Sequence, residues 1–503
     1  MGIDKDLISR QQARDLAVKA RDAQAVWAQA SQEQVDRVVE AAVKAGAAAA
    51  QQLAEMAVAE TQMGIVQDKT VKNLLATKIL GEHIREMRTV GVIKEDQKKK
   101  VFEIAEPIGV IAGITPTTNP TSTVLYKAII ALKSRNAIVF SPHPRAVKCS
   151  WEAARIVHEA AVKAGAPEGI IGCIDTPTME GTKELMTHPA VSFTLATGGT
   201  NLVRSAYSSG KPAIGVGPGN VPAYIERTAD VEKAVRYIIL SKTFDNGTVC
   251  ASEQHIVTER VIEAKVIDAL KKHGGYFLNA DEKKKIGDVV FRNGAINPDV
   301  VGQPALKIAD MAGIKVPVDT KVLIANLSEV GPNEPLSGEK LCPVLGFYTV
   351  ENWVEACELS IALLQYMGMG HTFAIHSQNE SVVREFALKK PISRIVWNTP
   401  STHGAVGITT GLAPALTLSC GTMGGSSTAD NVTPYHLLNI KRLCLGIREP
   451  EELDFGDTED VLQRQDLERI IRQVLNRSPE KDAKEIESIV WETLKRLQKV
   501  SLQ

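Results

Sequence analysis

Ser241-Lys-Thr-Phe-Asp-Asn-Gly-Thr-Val-Cys-Ala-Ser-Glu-Gln-His255 leads from a helix-like pattern, through a turn at Asp245-Asn246-Gly247, into the strand-like His255-Ile256-Val257. Cys250 therefore sits on a loop between a helix and a strand. A thiol on a loop held by regular elements at both ends is well placed to be a nucleophile. The competing reading is packing, because a free cysteine is often a small buried hydrophobe. What lies on either side of the stretch decides the fold.

Before it, residues 137–140, 169–174, 190–196, 213–216 and 221–225 read as short strands, with helix-like segments between several of them and 146–163 helical. After it, strand candidates recur at 321–326, 344–349, 372–375 and 394–397. Such alternation implies a parallel sheet covered by helices, a doubly wound nucleotide-binding type. The first 98 or so residues read as helical. Ser31-Gln-Glu-Gln34 has the capping-box form. Val35, Val38, Val39, Ala42 and Val43 follow on one apolar helix face. The charged run Lys94-Glu-Asp-Gln-Lys-Lys-Lys100 reads as a solvated turn, and residues 101–114, with Pro107 and Gly109, as a hairpin of two strands.

The bulk composition narrows the class. A chain of 503 residues suggests about three domains. Hydrophobic content of 44% and charged content of 23% are those of a globular protein. A net charge of -1, from 58 basic and 59 acidic residues, does not suggest a nucleic-acid or membrane surface. No apolar run reaches the roughly 18 residues of a membrane span. Met1-Gly-Ile-Asp-Lys-Asp6 has no apolar signal core. Seven scattered cysteines without C-x-x-C spacing argue against a disulfide framework or a zinc site, so no metal is expected. Reduced thiols in the cytoplasm are the expectation.

Several loops carry candidate chemistry. Thr115-Pro116-Thr117-Thr118-Asn119-Pro120 follows a strand, and Asn119 is a candidate N–H donor to an oxyanion. Asn, Thr and Pro are also ordinary turn formers. Thr197-Gly198-Gly199-Thr200 joins a strand to a helix, where backbone N–H groups meet phosphates. Gly215-Val-Gly217-Pro-Gly219 is a second glycine-rich turn, and neither fits G-x-G-x-x-G. Ser141-Pro142-His143-Pro144-Arg145 places His143 and Arg145 where a nucleotide ribose or phosphate would lie, or is a proline-stiffened turn. His255, five residues from Cys250, reads as structural. His371, in Gly368-Met-Gly-His-Thr372, is the better pocket candidate, because glycine lets the backbone approach a ligand.

In combination these stretches resemble the CoA-acylating aldehyde dehydrogenases. The resemblance rests on Phe244, Asn246, Gly247 and Cys250-Ala-Ser-Glu-Gln254, on Pro116-Thr-Thr-Asn-Pro120 and on Gly217-Pro-Gly-Asn220. Glu339-Lys-Leu-Cys-Pro343, Gly421-Thr-Met-Gly-Gly425 and Asn431-Val-Thr-Pro434 extend it, so that it runs from roughly residue 10 to 447. It is similar to the aldehyde half of bifunctional aldehyde-alcohol dehydrogenase and to the propionaldehyde dehydrogenases of bacterial microcompartments.

The resemblance implies the aldehyde dehydrogenase fold, α/β with a Rossmann-like cofactor domain, a catalytic domain and an oligomerisation flap. It divides the chain into an NAD/CoA-binding domain 1–240 (with 99–116 lending a hairpin to the flap), a catalytic domain 241–420 and an oligomerisation segment 421–447 expected to cross to another subunit; outside it, the composition turns charged and helical after Glu449-Pro-Glu-Glu-Leu-Asp454 and sets off a helical extension 448–503. It implies Cys250 as nucleophile, with Asn119 and the Cys250 N–H on the oxyanion. It places nicotinamide-side contacts at Thr115, Pro116 and Thr117 and at Thr197 to Thr200. It puts the ribose on Glu339, and Ser141 to Arg145, Gly217 and Leu341 in the same cofactor groove. NAD and CoA are the implied cofactor and co-substrate, propionaldehyde or acetaldehyde the substrate, and a dimer or tetramer the assembly.

Two departures from the hydrolytic relatives matter. Val216 stands where those enzymes carry a water-activating glutamate, and valine cannot take a proton. Ser141 and Pro144 stand where they offer Lys and Glu to a ribose, which leaves the choice of NAD over NADP open. A hydrolytic aldehyde dehydrogenase, a non-redox cysteine acyltransferase and a structural microcompartment component are the competing readings. In the tail, Leu467, Ile470, Ile471, Val474 and Leu475 form one helical stripe, and Ile486, Val490, Leu494 and Leu497 another. The stretch 466–477 resembles the encapsulation peptides that carry enzymes into microcompartments, where shell proteins or core enzymes would be its partners. The alternative is a helix packed on its own domain.

Overall fold

The computed structural model describes residues 4–450, 468–476 and 482–500. The N-terminal helices Lys5–Trp27, Gln32–Ala48, Ala50–Thr61 and Val66–Leu74 follow their apolar patterns. Ser31 Oγ accepts from Gln34 N at 3.2 Å, and Gln34 Oε1 accepts from Ser31 N at 2.8 Å, so the capping box is formed. Val35, Val38, Val39 and Ala42 are buried along one face.

Two strands, β1 (Gly91–Asp96) and β2 (Val101–Pro107), pair across the charged turn 97–100. The hairpin expected within 101–114 is therefore not formed: it lies one strand earlier. The physical reason is burial. β3 (Val110–Ile114) is buried along its whole length, whereas β1 is mostly exposed and β2 half-buried, and Gly109, at φ 119°, turns the chain between β2 and β3.

β3 is the middle of a five-stranded parallel sheet. With it run β4 (Ala137–Ser141), β5 (Ile171–Cys173), β6 (Phe193–Thr197) and β7 (Ala213–Val216), in the order β5-β4-β3-β6-β7. The chain steps outward from β3 to one side and then, from β6, to the other. That reversal leaves a crevice beyond the carboxyl ends of β3, β4 and β6, the place where open α/β sheets take ligands.

β8 (Val221–Ile225) leaves this sheet, although it falls inside the expected cofactor domain 1–240. It joins β9 (Glu253–Glu259), β10 (Gly275–Phe277), β13 (Val322–Asn326), β14 (Val344–Val350), β15 (Gly370–His376) and β16 (Ile392–Trp397) in a second parallel sheet of order β10-β13-β14-β9-β8-β15-β16. The short β11 (Phe291–Arg292) and β12 (Ala295–Ile296) pair only with each other. Crossing occurs at Gly217-Pro218-Gly219-Asn220. Asn220 anchors it: Nδ2 donates to Ser337 O and Leu363 O, each at 3.0 Å, and Oδ1 meets His255 Nε2 at 2.9 Å. Gly219 is required there, because a Cβ would lie 2.1 Å from the Cys250 carbonyl oxygen.

The segment 421–447 divides. Its first part folds into the same unit as the seven-stranded sheet. Leu418 bridges Asn431, Val432 and Leu437 are buried, and Arg394 of β16 bonds Asn431 Oδ1 at 2.8 Å. The second part is β17 (Leu438–Cys444), which pairs with β2. By contacts the chain forms two compact units, Met1–Ile93 with Glu103–Lys441 and Lys94–Phe102 with Arg442–Gln503. Residues 468–476 and Ala483–Val500 are helical. Leu467 and the ends of the stretch 466–477 lie outside the described residues. All seven cysteines are unpaired. Among the described residues no helix is long and apolar enough to cross a membrane.

Replacing Asn220 by Ala strands two buried carbonyls and a histidine ring nitrogen. Each orphaned group costs roughly 1–3 kcal/mol. Asn220→Ala is expected to destabilise the protein by several kcal/mol, read as a lower urea midpoint with little change in slope.

Candidate active site

The crevice opens into a cavity of about 590 Å³. Three loops at strand ends line it: Thr115 to Asn119 after β3, Ser141 to Arg145 after β4, and Thr197 to Gly199 after β6. Val216, Gly217 and Pro218 follow from β7. Cys250 enters from the loop before β9, beside Thr248 and Val249, and Glu339 and Leu341 complete that side. Thr200 begins the helix Thr200–Tyr207. The fold thus brings nearly all the sequence candidates to one cavity, because four of their loops follow the carboxyl ends of parallel strands β3, β4, β6 and β7.

Cys250 is half-buried, and its loop is tightly wound. Asp245 and Asn246 adopt left-handed conformations, at φ 50° and 52°. Asx side chains tolerate that region better than most. Asp245 is held from several directions. Its Oδ1 accepts from Ile65 N at 2.7 Å, its Oδ2 from Lys69 Nζ at 2.9 Å and from Lys72, and its own N–H donates to Asp68 Oδ2 at 2.7 Å. These contacts fix the turn that presents the thiol.

Burial pushes the Cys250 thiol up to about 12. The Glu339 carboxylate and Cys420 push the same way, and the Arg394 guanidinium opposes them. Glu339 is itself raised to about 7 by burial, while the N–H of Gly219, 2.9 Å from its Oε1, works against the rise.

A polar ligand has places to bind. Thr115 Oγ1 and Thr197 Oγ1 are buried without a hydrogen-bond partner among the described residues. The helix Thr200–Tyr207 starts at Gly199 with no side-chain cap, so its first N–H groups are unclaimed by a cap. Gly199 and Gly217 have open space where a Cβ would stand. His143, Pro144 and Arg145 are exposed, and His143 Nδ1 accepts from Arg145 N at 3.1 Å. Ser141 is less available, because its hydroxyl is 2.7 Å from that of Thr182. These features fit a dinucleotide or another phosphorylated nucleotide.

Two histidines stay out of the cavity lining. His255 is fully buried on Asn220 and stacks edge-on to Tyr348 at 5.8 Å. His371 is buried against Thr372 Oγ1 at 2.9 Å, and burial, with Arg394 adding to it, lowers it to about 3. His371 therefore stays neutral and takes no proton near neutral pH. Sequence reasoning missed Arg394, whose guanidinium bonds His371 O at 3.0 Å, Ser419 O and Asn431 Oδ1. The one signal was a basic residue within the otherwise mostly apolar Ile392-Ser-Arg-Ile-Val-Trp397. It also missed Thr182 and the apolar wall of Ile296, Pro298, Val301, Leu416 and Leu418. Among the described residues no group of three or more His, Cys, Asp or Glu is placed to hold a metal.

Residues 5–285 match the aldehyde dehydrogenase family. The chain is 47% identical over 434 residues to the bifunctional aldehyde-alcohol dehydrogenase of Escherichia coli K12, covering 85% of this chain and 49% of that protein. It thus spans about half the length of these bifunctional relatives. An acetylating aldehyde dehydrogenase from Geobacillus thermoglucosidasius superposes with a TM-score of 0.88 at 50% identity, covering 89% of this chain and 99% of that one. A propionaldehyde dehydrogenase from the fucose utilisation microcompartment of Clostridium phytofermentans superposes with a TM-score of 0.79 at 29% identity, covering 87% and 99%. The fold is that of these solved structures, the family model matches more than half of the chain, and the chain belongs to the aldehyde dehydrogenase family.

Proposed function

We propose that the protein is a CoA-acylating aldehyde dehydrogenase. It converts a short aliphatic aldehyde, propionaldehyde or acetaldehyde, to its acyl-CoA, with NAD as oxidant. The observation that carries the reading is the shared cavity: the Cys250 thiol, the Asn119 amide and two unpartnered threonine hydroxyls line it together.

The chemistry follows from the residues. The Cys250 thiolate attacks the aldehyde carbon, a C–S bond forms, and the carbonyl electron pair moves onto oxygen. Asn119 Nδ2 and the Cys250 backbone N–H donate to that oxyanion, and one such donor contributes roughly 3 kcal/mol in other enzymes. Thr115, Thr197, Gly199 and Glu339 would hold the dinucleotide, with Thr117, Gly198, Gly217 and Leu341 lining the same groove. A bound nicotinamide supplies the hydride acceptor. Cys250 is then left as a thioester. The thiol of CoA attacks its carbonyl carbon, and the Cys250 thiolate leaves. Val216, 2% exposed, offers this cavity an apolar wall and no base for water, which favours transfer to CoA over hydrolysis.

We extend the proposal to location. Residues 448–503 follow the catalytic motifs and carry amphipathic helical stretches, with Ile470 and Val474 40% and 37% exposed. A short helix with an open apolar stripe gains most of its stability from a partner surface. The tail would deliver the enzyme into a bacterial microcompartment, and the oligomer would be a dimer or tetramer. A fluorescent protein fused to 448–503 is expected to gather into foci only when shell proteins are co-expressed. Diffuse signal in both conditions would reject encapsulation.

The activity is tested by following NADH formation from propionaldehyde with and without CoA. The wild-type protein should turn over steadily with CoA and stall after about one equivalent without it. Cys250→Ala should form no NADH while still binding the dinucleotide. Unchanged steady-state turnover on omitting CoA would point to hydrolysis instead.

The thiol itself has a pH signature. Only the thiolate is alkylated by iodoacetamide, so with a thiol held near 12 the rate climbs with pH throughout the neutral range. Glu339 ionises around 7 and its new charge raises the thiol further. Between pH 6 and 8 the wild-type rate should therefore rise by less than about tenfold per unit. Glu339→Gln should react faster and approach about tenfold per unit, the limit for a single proton lost. A plateau below pH 8 would show a thiol already ionised.

A further inference from the structure

Lys72, on the helix Val66–Leu74, is 2% exposed and reaches the cavity wall from behind. An ammonium has three donors and no acceptor. All three are spent: on Asn119 Oδ1 at 2.6 Å, on Thr248 Oγ1 at 3.0 Å and on the Asp245 carboxylate. Thr248 in turn donates to Asp245 Oδ2 at 2.7 Å. Lys69, three residues earlier on the same helix, shares the same carboxylate and donates to Thr118 O at 2.8 Å. The two lysines thus join the Asn119 loop to the Cys250 loop through one buried aspartate.

This joint decides which way the Asn119 amide faces. Asn119 occupies the N-cap position of the helix Pro120–Lys133, where an asparagine ordinarily bonds the first free N–H groups through its oxygen. It makes no such bond. Its oxygen is committed to Lys72, and the reversed amide would set an NH₂ against an ammonium. Nδ2 is left with Thr118 Oγ1 at 3.1 Å and a long contact to Thr248 O at 3.4 Å. A contact that long is weak, so this N–H yields readily to a stronger acceptor.

We infer that Lys72 is a positioning residue that locks the Asn119 amide with its N–H toward the reacting aldehyde oxygen, using Asp245 to hold the ammonium in place. The inference rests on the proposed role of Asn119 as oxyanion donor. Burying two cations on a carboxylate is costly in desolvation. Hydrophobic packing could fill the same space, but it would leave the amide free to turn over.

The test is a double-mutant cycle on the rate of the first NADH turnover, read by stopped flow with propionaldehyde, with dinucleotide binding and Cys250 alkylation measured in parallel. Asn119→Ala alone should slow the first turnover by about 100-fold or more. If it does not, the oxyanion reading fails, whatever Lys72 does. Lys72→Met should slow it by about 10- to 100-fold, with dinucleotide affinity and the alkylation rate within about threefold of wild type. In the Asn119→Ala background, Lys72→Met should have almost no further effect. Two effects that multiply, or an equal fall in alkylation rate, would overturn the inference and leave Lys72 as a support of the Cys250 loop. Lys72→Met leaves Asp245 paired one to one with Lys69, and Lys72→Gln, whose amide N–H can still meet Asn119 Oδ1, serves as the second variant and should lose less. If neither variant folds, the network is needed for the fold rather than for Asn119, and the inference falls.

Discussion

The Asp245 carboxylate is the constraint on which the rest of the site depends. It lies wholly buried between two lysines of an N-terminal helix, and its own backbone is left-handed. Burial by itself would raise this carboxyl, but Lys72 and Lys69 hold it below the ordinary carboxylate value. Gly64, at φ 80°, leaves room for it, since a Cβ there would stand 1.9 Å from Asp245 Oδ1. One ion network therefore sets the position of a helix, of the loop after β3 and of the loop that carries the nucleophile.

The second constraint is a close approach. The chain leaves the five-stranded sheet after β7, passes the nucleophile at Gly219 and enters the seven-stranded sheet as β8. Asn220 bonds the segments around Ser337 and Leu363 and also His255 of β9. The Gly219 N–H holds Glu339. Nucleophile, carboxylate and crossover are thus one packed assembly. Burial and the nearby Glu339 carboxylate both raise the Cys250 thiol, so this surrounding favours its protonated form. Arg394 tempers this from the far side, where it also ties 419–431 onto β16.

Much of the candidate site was legible because its residue types sit at strand ends in runs with distinctive chemistry. Thr115 to Asn119, Ser141 to Arg145 and Thr197 to Gly199 each follow a recognisable buried strand, and each lines the cavity. The two-strand hairpin at 101–114 was misread because local pattern cannot tell a strand paired at the surface from one buried in a central sheet. The alternation is similar, and only neighbours distant in sequence separate them.

The sequence by itself determined the alternating α/β architecture, the loop character of Cys250 and the family motifs, because periodicity and turn chemistry are local. Tertiary structure alone decided that β8 belongs to the second sheet, that His371 is a neutral buried ring and that Thr182 occupies the hydroxyl of Ser141. It also decided that Lys72 meets Asp245 across 173 residues of chain and Asn119 across 47. A lysine on an amphipathic helix ordinarily reads as a solvated residue. Its charge becomes a structural part only when the fold surrounds it with an aspartate, a threonine and an amide oxygen, and no local pattern records those distant partners.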